Sequence, residues 1–216
     1  MSSEVVIIDY GIGNIFSVRR AFEFCGAEVV VTDDPQKIFN ANRLVLPGVG
    51  AFSDGMQGIF DRGLDKVICE YANLDKPLLG ICLGMQMLTS FSEEFGEHHG
   101  LGIIPGRVKS IPRINAQGNV IKVPFVGWAD LQSKTNEADW NGSVLNEISV
   151  GEAVYLTHSY AVTPDNLNHC LAYCNYDGIE ITTVISKSKT YGVQFHPEKS
   201  GPIGLKIIKN FMNICL

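Results

Sequence analysis

Short unbroken apolar runs alternate along this chain with longer stretches in which apolar residues return every three or four positions. Val5-Val6-Ile7-Ile8 reads as a buried strand, closed by Asp9-Tyr10-Gly11. Ile15, Val18, Phe22 and Cys25 fall at helical spacing, and Gly26 ends that helix. Val29-Val30-Val31 is the next strand. Asp34-Pro35 then opens a short helix, with a capping side chain ahead of a proline at the first helical position. Arg43 to Leu46 reads as a third strand stopped by Pro47-Gly48, followed by a helical stretch through Tyr71. Pro77 to Ile81 is a fourth strand, with Leu83 to Ser90 as the helix after it. This β-α-β-α order predicts an α/β fold built on an open, mostly parallel sheet flanked by helices.

The second half has a different rhythm. From Gly106 to Thr183 the chain reads as strands, separated by turn signals at Asn115 to Gly118, Trp140 to Gly142 and Tyr176 to Gly178. Val193-Gln194-Phe195 gives one more strand and Leu205 to Met212 a closing helix. No repeat or linker divides the chain, so one domain over 1–216 is expected, with an antiparallel strand insertion in the second half.

Composition narrows the class. Apolar residues make up 45% of the 216 positions and charged residues 19%, which excludes a disordered chain. The length suffices to bury a core without disulfides. A net charge of −6 with dispersed lysines offers no basic stripe for nucleic acid. No apolar run approaches the ~18 residues of a membrane span, and Met1-Ser2-Ser3-Glu4 has none of the character of a leader. A cytoplasmic protein with reduced cysteines is expected. Cys25, Cys69, Cys82, Cys170, Cys174 and Cys215 lack paired CxxC spacing, so no metal is expected. His98-His99 reads as a surface loop. The 22 glycines have no collagen-like period and act as punctuation.

The chemistry concentrates in three places. Gly80-Ile81-Cys82-Leu83-Gly84 lies where a strand meets a helix, the setting of a nucleophile elbow whose tight turn needs small flanking residues. The helix N-terminus beyond it favours a thiolate. A cysteine there could instead be a small buried apolar residue. Gln194-Phe195-His196-Pro197-Glu198 supplies a base and a carboxylate. In extended chain, positions i and i+2 point the same way, so Glu198 would orient His196 as the acid of a triad does. Pro47-Gly48-Val49-Gly50, at another strand end, lets backbone amides approach an oxyanion. Together these parts describe acyl transfer from an ester or amide. Gly11-Ile12-Gly13-Asn14 is no dinucleotide loop, because Phe16 stands where its third glycine would be.

Gly80-Ile-Cys-Leu-Gly-Met-Gln86 with Gln194-Phe-His-Pro-Glu198 resembles the class I (triad) glutamine amidotransferases, whose domain has a flavodoxin-like sheet. Asp9 to Asn14, Pro47 to Phe52 with Asp54-Gly55-Met56, and His196 to Gly201 narrow the resemblance. The branch they point to is the glutaminase subunits of imidazole glycerol phosphate synthases, over essentially the whole chain.

That resemblance implies a glutaminase of the histidine pathway with Cys82, His196 and Glu198 as its triad. Backbone amides of Val49, Gly50 and Leu83 would form the oxyanion hole. Gln86, Glu94, Ser159 and Tyr160 would hold L-glutamine, with water as second substrate and no cofactor. His158 would be structural. The family partner is a (β/α)8 cyclase subunit, forming a heterodimer, and Asn14, Trp128, Tyr155 and Lys199 match its docking positions. An aromatic anchor such as Trp128 suits a partner surface, although core packing would equally accommodate it. Histidine-pathway members usually carry Pro-His-Met-Gly-Trp-Asn where this chain has Pro124 to Ala129, with the changed side chains expected near the partner face. Paralogues that feed ammonia to amidino groups on bacterial surface sugars are therefore an alternative for the acceptor.

Overall fold

The computed structural model describes residues 4–134 and 140–215. Met1 to Ser3, part of the segment read as carrying no leader, lie outside them. β1 (Glu4–Ile8), α1 (Ile15–Phe24), β2 (Glu28–Thr32), α2 (Pro35–Asn40) and β3 (Leu44–Leu46) occur in the expected order. The helical stretch expected through Tyr71 is two helices, α3 (Phe52–Asp61) and α4 (Leu64–Asn73), parted by Gly63 in the left-handed conformation (φ 63°). β4 (Leu78–Ile81) leads into α5 (Leu83–Met87), which ends three residues earlier than its pattern suggests. The returning chain takes its carbonyls, as Leu101 N–H donates to Met87 and Ile104 N–H to Leu88.

Strands dominate the rest of the chain: β5 (Phe91–Ser92), β6 (His98–His99), β7 (Gly106–Ser110), β8 (Phe125–Asp130), β9 (Ala153–His158), β10 (Tyr160–Pro164), β11 (Cys170–Tyr176), β12 (Ile179–Lys187) and β13 (Thr190–Val193), before α6 (Gly201–Asn213). The last strand lies earlier than Val193-Gln194-Phe195. The histidine pair is not a loop but a two-residue strand antiparallel to β5, with the His99 ring 4.8 Å from that of Phe91.

The main sheet runs β11-β12-β13-β4-β3-β1-β2. Its five strands from β13 to β2 pair in parallel, and β12 and β11 continue it antiparallel. The antiparallel strands are thus not all an insertion: two extend the central sheet, β8 and β9 form a separate ribbon, and β10-β7-β5-β6 form a small mixed sheet. Because strand side chains alternate between faces, Val5, Ile7, Val45 and Leu79 enter one core with α1 and α6, while Val6, Ile8, Leu44 and Leu78 enter another with α2 to α5. Burial on both faces is why these strands read as unbroken apolar runs. No helix among the described residues is long and apolar enough to cross a membrane, and the six cysteines are all free thiols.

Candidate active site

β4 lies between β3 and β13, with Gly80 opposite both Leu46 and Gly192 and Ile81 opposite Val193. Segments leaving these carboxyl ends emerge side by side: Pro47 to Gly50 on one flank of Cys82, and Gln194 to His196 on the other. The Cys82 N–H donates to the Val193 carbonyl at 2.8 Å, carrying the β4–β13 ladder one residue beyond the strand. Two motifs far apart in sequence become neighbours through this pairing. Ligands of open α/β sheets bind at this edge.

Cys82 has φ 54° and ψ −109°, a conformation that costs an L-residue about 1–3 kcal/mol. The flanking glycines are sterically required. A Cβ on Gly80 would stand 2.7 Å from the carbonyl of Gly84, and one on Gly84 would run into the Leu46 carbonyl oxygen. The strand, the turn and the short helix therefore lock together, presenting Cys82 ahead of α5.

His196 lies just past β13 with extended backbone (φ −96°, ψ 98°), and its Nδ1 is 2.9 Å from Glu198 Oε1. The Glu198 side chain is 1% exposed. The contact is the expected one but its geometry is not, since Pro197–Lys199 forms a 3-10 turn. The carboxylate reaches the ring from a turn and not along extended chain. Burial alone would push the His196 pKa down, but hydrogen bonds to Cys82 and Glu198 outweigh it and push it up to about 9.

A cavity of about 310 Å³ opens over these groups. It is lined by Val49, Gly50, Cys82, Leu83, Gln86, Glu94, Ser159, Tyr160 and His196, together with Thr157 and His158. Glu198 stands behind His196, outside the lining. Gly50 takes φ +95°, which glycine adopts without strain. The loop carrying it is anchored twice: the Tyr10 hydroxyl donates to the Pro47 carbonyl at 2.8 Å, and the Phe52 N–H donates to Glu94 Oε2 at 2.7 Å. Burial raises the Tyr10 pKa, with Cys82 adding to it, so the phenol remains a donor. A second cavity of about 320 Å³, between β7, β10 and β12, also holds a cysteine, Cys170. Burial pushes that thiol up, and no histidine lines the cavity.

The motifs did not single out two groups, Gln194 and Tyr10, and a third, His158, stands at the cavity. Gln194 is fully buried, and its Nε2 lies 3.8 Å from Cys82 Sγ. A glutamine inside the apolar run Tyr191 to Phe195 was the available signal. Tyr10 gave none beyond its place after a strand. His158, read as structural, lines the cavity. Its Nδ1 is 2.8 Å from the Tyr160 carbonyl, and burial, countered in part by that hydrogen bond and aided by His196, pulls its pKa down to about 4. Neutral at pH 7, the ring donates at Nδ1 and can only accept at Nε2.

Trp128 is 57% exposed, which decides against core packing. It pairs across the ribbon with Tyr155, the rings edge to face at 5.9 Å. Lys199 is exposed beside Glu198. Asn14 caps α1, its Oδ1 accepting from Ser17 N–H at 3.4 Å. The changed residues of 124–129 are not all at that face. Val126 is exposed like Trp128, while Phe125 is buried and stacks on Tyr176 at 3.8 Å, and Ala129 packs against the core.

Comparison with known proteins adds independent findings. The family described as Glutamine amidotransferase class-I matches residues 6–215. The imidazole glycerol phosphate synthase subunit HisH 1 of Legionella pneumophila (strain Lens) is 47% identical over 212 residues, covering 98% of this chain and all of that one. Among solved structures, a glutamine amidotransferase aligns with TM-score 0.71 at 16% identity, over 97% of each chain. PurLQS from Thermotoga maritima aligns with TM-score 0.69 at 20% identity, over 99% of each.

Proposed function

Because this chain belongs to the class-I glutamine amidotransferase family, we propose that it is a glutaminase subunit with one domain over 1–216, hydrolysing L-glutamine through Cys82, His196 and Glu198. One observation carries the reading: His196, its Nδ1 2.9 Å from Glu198, lines the same cavity of about 310 Å³ as Cys82. Nucleophile, base and orienting acid in contact are the minimum for covalent acyl transfer.

Each step has a group suited to it. The Cys82 thiolate attacks the carboxamide carbon, and the oxyanion is met by backbone amides of Leu83 and of Val49-Gly50. The imidazolium of His196, held protonated by its two partners, gives its proton to the departing ammonia and leaves a glutamyl thioester. The neutral ring then takes a proton from water, whose oxygen bonds to the acyl carbon as the carbon–sulfur bond breaks, releasing glutamate and restoring the thiolate–imidazolium pair. Glu198, shielded from solvent, stabilises each imidazolium and fixes the tautomer. Gln86, Glu94, Ser159 and Tyr160 wall the cavity where the amino-acid end of the substrate would lie.

The acceptor is inferred from the 47% identity to the HisH subunit of Legionella pneumophila. Ammonia passes to a (β/α)8 cyclase bound as a heterodimer in the cytoplasm. That subunit makes imidazole glycerol phosphate and aminoimidazole carboxamide ribonucleotide for histidine synthesis. Trp128 and Tyr155 on the exposed ribbon, with Lys199 beside the triad and Asn14, form the docking face. The test uses the complex with Cys82→Ala. Glutamine-dependent synthesis is expected to vanish while added ammonium salts restore it. Glutamine hydrolysis persisting in the variant would overturn the nucleophile, and failure of ammonium to replace glutamine would overturn the transfer.

A further inference from the structure

The amide of Gln86 has two N–H bonds, and both are used: Nε2 donates to the Tyr160 carbonyl at 3.1 Å and to Gln194 Oε1 at 3.1 Å. A backbone carbonyl can only accept, so Tyr160 fixes which way the Gln86 amide faces. Gln86 in turn presents a donor to Gln194, which must answer with its oxygen. The NH2 of Gln194 is thereby turned toward Cys82, with Nε2 3.8 Å from Sγ. Flipping Gln194 would set two NH2 groups against each other and put a carbonyl oxygen on the sulfur. Neither amide can turn without losing a buried hydrogen bond. Gln194 itself is completely buried, and its backbone is tied to the sheet by a 2.8 Å hydrogen bond to the Thr183 carbonyl.

We propose that Gln194 is a positioning residue of the glutaminase: its amide, oriented through Gln86 by the Tyr160 carbonyl, holds a donor on the Cys82 sulfur and so couples the substrate-binding wall to the nucleophile. The inference rests on the glutaminase reading. It adds a second side-chain contact to a sulfur otherwise served by His196. A donor on a thiolate favours the charged form, so the relay poises the nucleophile before substrate arrives. The coupling runs through the wall itself, because Tyr160 and Gln86 both line the cavity. A ligand that pulls the Gln86 amide away from Tyr160 releases Gln194 and weakens the donor on Cys82.

The experiment measures the rate of Cys82 alkylation by iodoacetamide against pH in the free chain, and kcat and KM for glutamine hydrolysis in the complex. Gln194→Leu removes donor and acceptor together, and Gln194→Asn keeps an amide too short to span both partners. Gln86→Leu leaves Cys82 untouched but frees Gln194 to flip. All three are expected to move the alkylation midpoint to higher pH, and Gln194→Leu and Gln194→Asn to lower kcat about tenfold, the effect of one hydrogen bond of ordinary strength. An unchanged alkylation profile in folded Gln194→Asn overturns the proposal, as does a rise in KM with kcat intact in either Gln194 variant. An effect of Gln194→Leu without any of Gln86→Leu overturns the relay. The wild-type complex and Cys82→Ala run alongside keep the two levels apart, since absence of glutamine hydrolysis in the wild type removes the glutaminase reading and hydrolysis surviving in Cys82→Ala removes the nucleophile, whatever Gln194 does.

Discussion

The backbone N–H of His196 donates to the carbonyl of Tyr155 at 3.0 Å, so the proposed base hangs from β9, whose half-buried Tyr155 pairs across the ribbon with the exposed Trp128. Ser200 closes the link, because its hydroxyl accepts from the Tyr155 N–H at 3.0 Å and donates to the His196 carbonyl at 2.7 Å. Contact at the Trp128–Tyr155 face is therefore only a short hydrogen-bonded path from His196, the base proposed above.

Ser200→Ala should expose how much that link contributes. It leaves the Tyr155 N–H without that acceptor and takes one of two donors from the His196 carbonyl, which keeps the Lys199 N–H, at a cost of about 1–3 kcal/mol, and it loosens the anchoring of His196. Urea unfolding should show the loss, accompanied by a fall in kcat. Wild-type stability in the alanine variant would mean that the triad segment is held by other contacts.

The backbone at Cys82 stores strain that a glycine would release. Cys82→Gly and Cys82→Ala both lack the thiol, yet glycine accepts φ 54° and ψ −109° and alanine does not. The glycine variant should be more stable by about 1 kcal/mol, read as a higher melting temperature. Equal melting temperatures would show the elbow to be relaxed.

Two histidines set opposite limbs of the stability–pH curve. His196, raised to about 9, contributes stability that is complete below its unfolded value near 6.5 and is lost as pH rises through about 9. His158, lowered to about 4, contributes stability that is complete above about 6.5 and is lost as pH falls through about 4. Glu198→Gln should therefore flatten the alkaline limb, and His158→Asn the acid limb, in denaturant midpoints taken across pH. Limbs that stay as steep in these variants would assign them to other groups.

If Trp128 anchors the proposed docking face, Trp128→Ala should weaken the complex with the proposed cyclase partner by roughly 30-fold or more, because an exposed aromatic anchor loses about 2 kcal/mol or more on truncation at an interface centre. Val126→Ala, on the same face but smaller, should cost less. Titration calorimetry with the purified partner would read both, and an unaltered affinity for Trp128→Ala would move the docking face elsewhere.

Much of this protein was already fixed by its order of residues. Apolar runs of three to five residues with glycine or proline behind them set the parallel strands, because strands buried on both faces admit little else. Gly80 and Gly84 bracket Cys82 for a reason local enough to read directly, the closeness of backbone in a strand-to-helix turn. The pairing of β4 with β13 was not legible, since strand neighbours are chosen by packing across the whole sheet and not by nearby sequence. That pairing alone brings Cys82 to Gln194 and His196. The same limit hid the antiparallel extension of the main sheet and the 3-10 turn through which Glu198 meets His196. It also hid the roles of Tyr10 and Gln194, whose polar atoms acquire meaning only when burial removes water and leaves one partner within reach. Composition and periodicity determined the elements and the kinds of chemistry available; the tertiary structure decided which groups touch, because contact between distant residues is a property of the closed core.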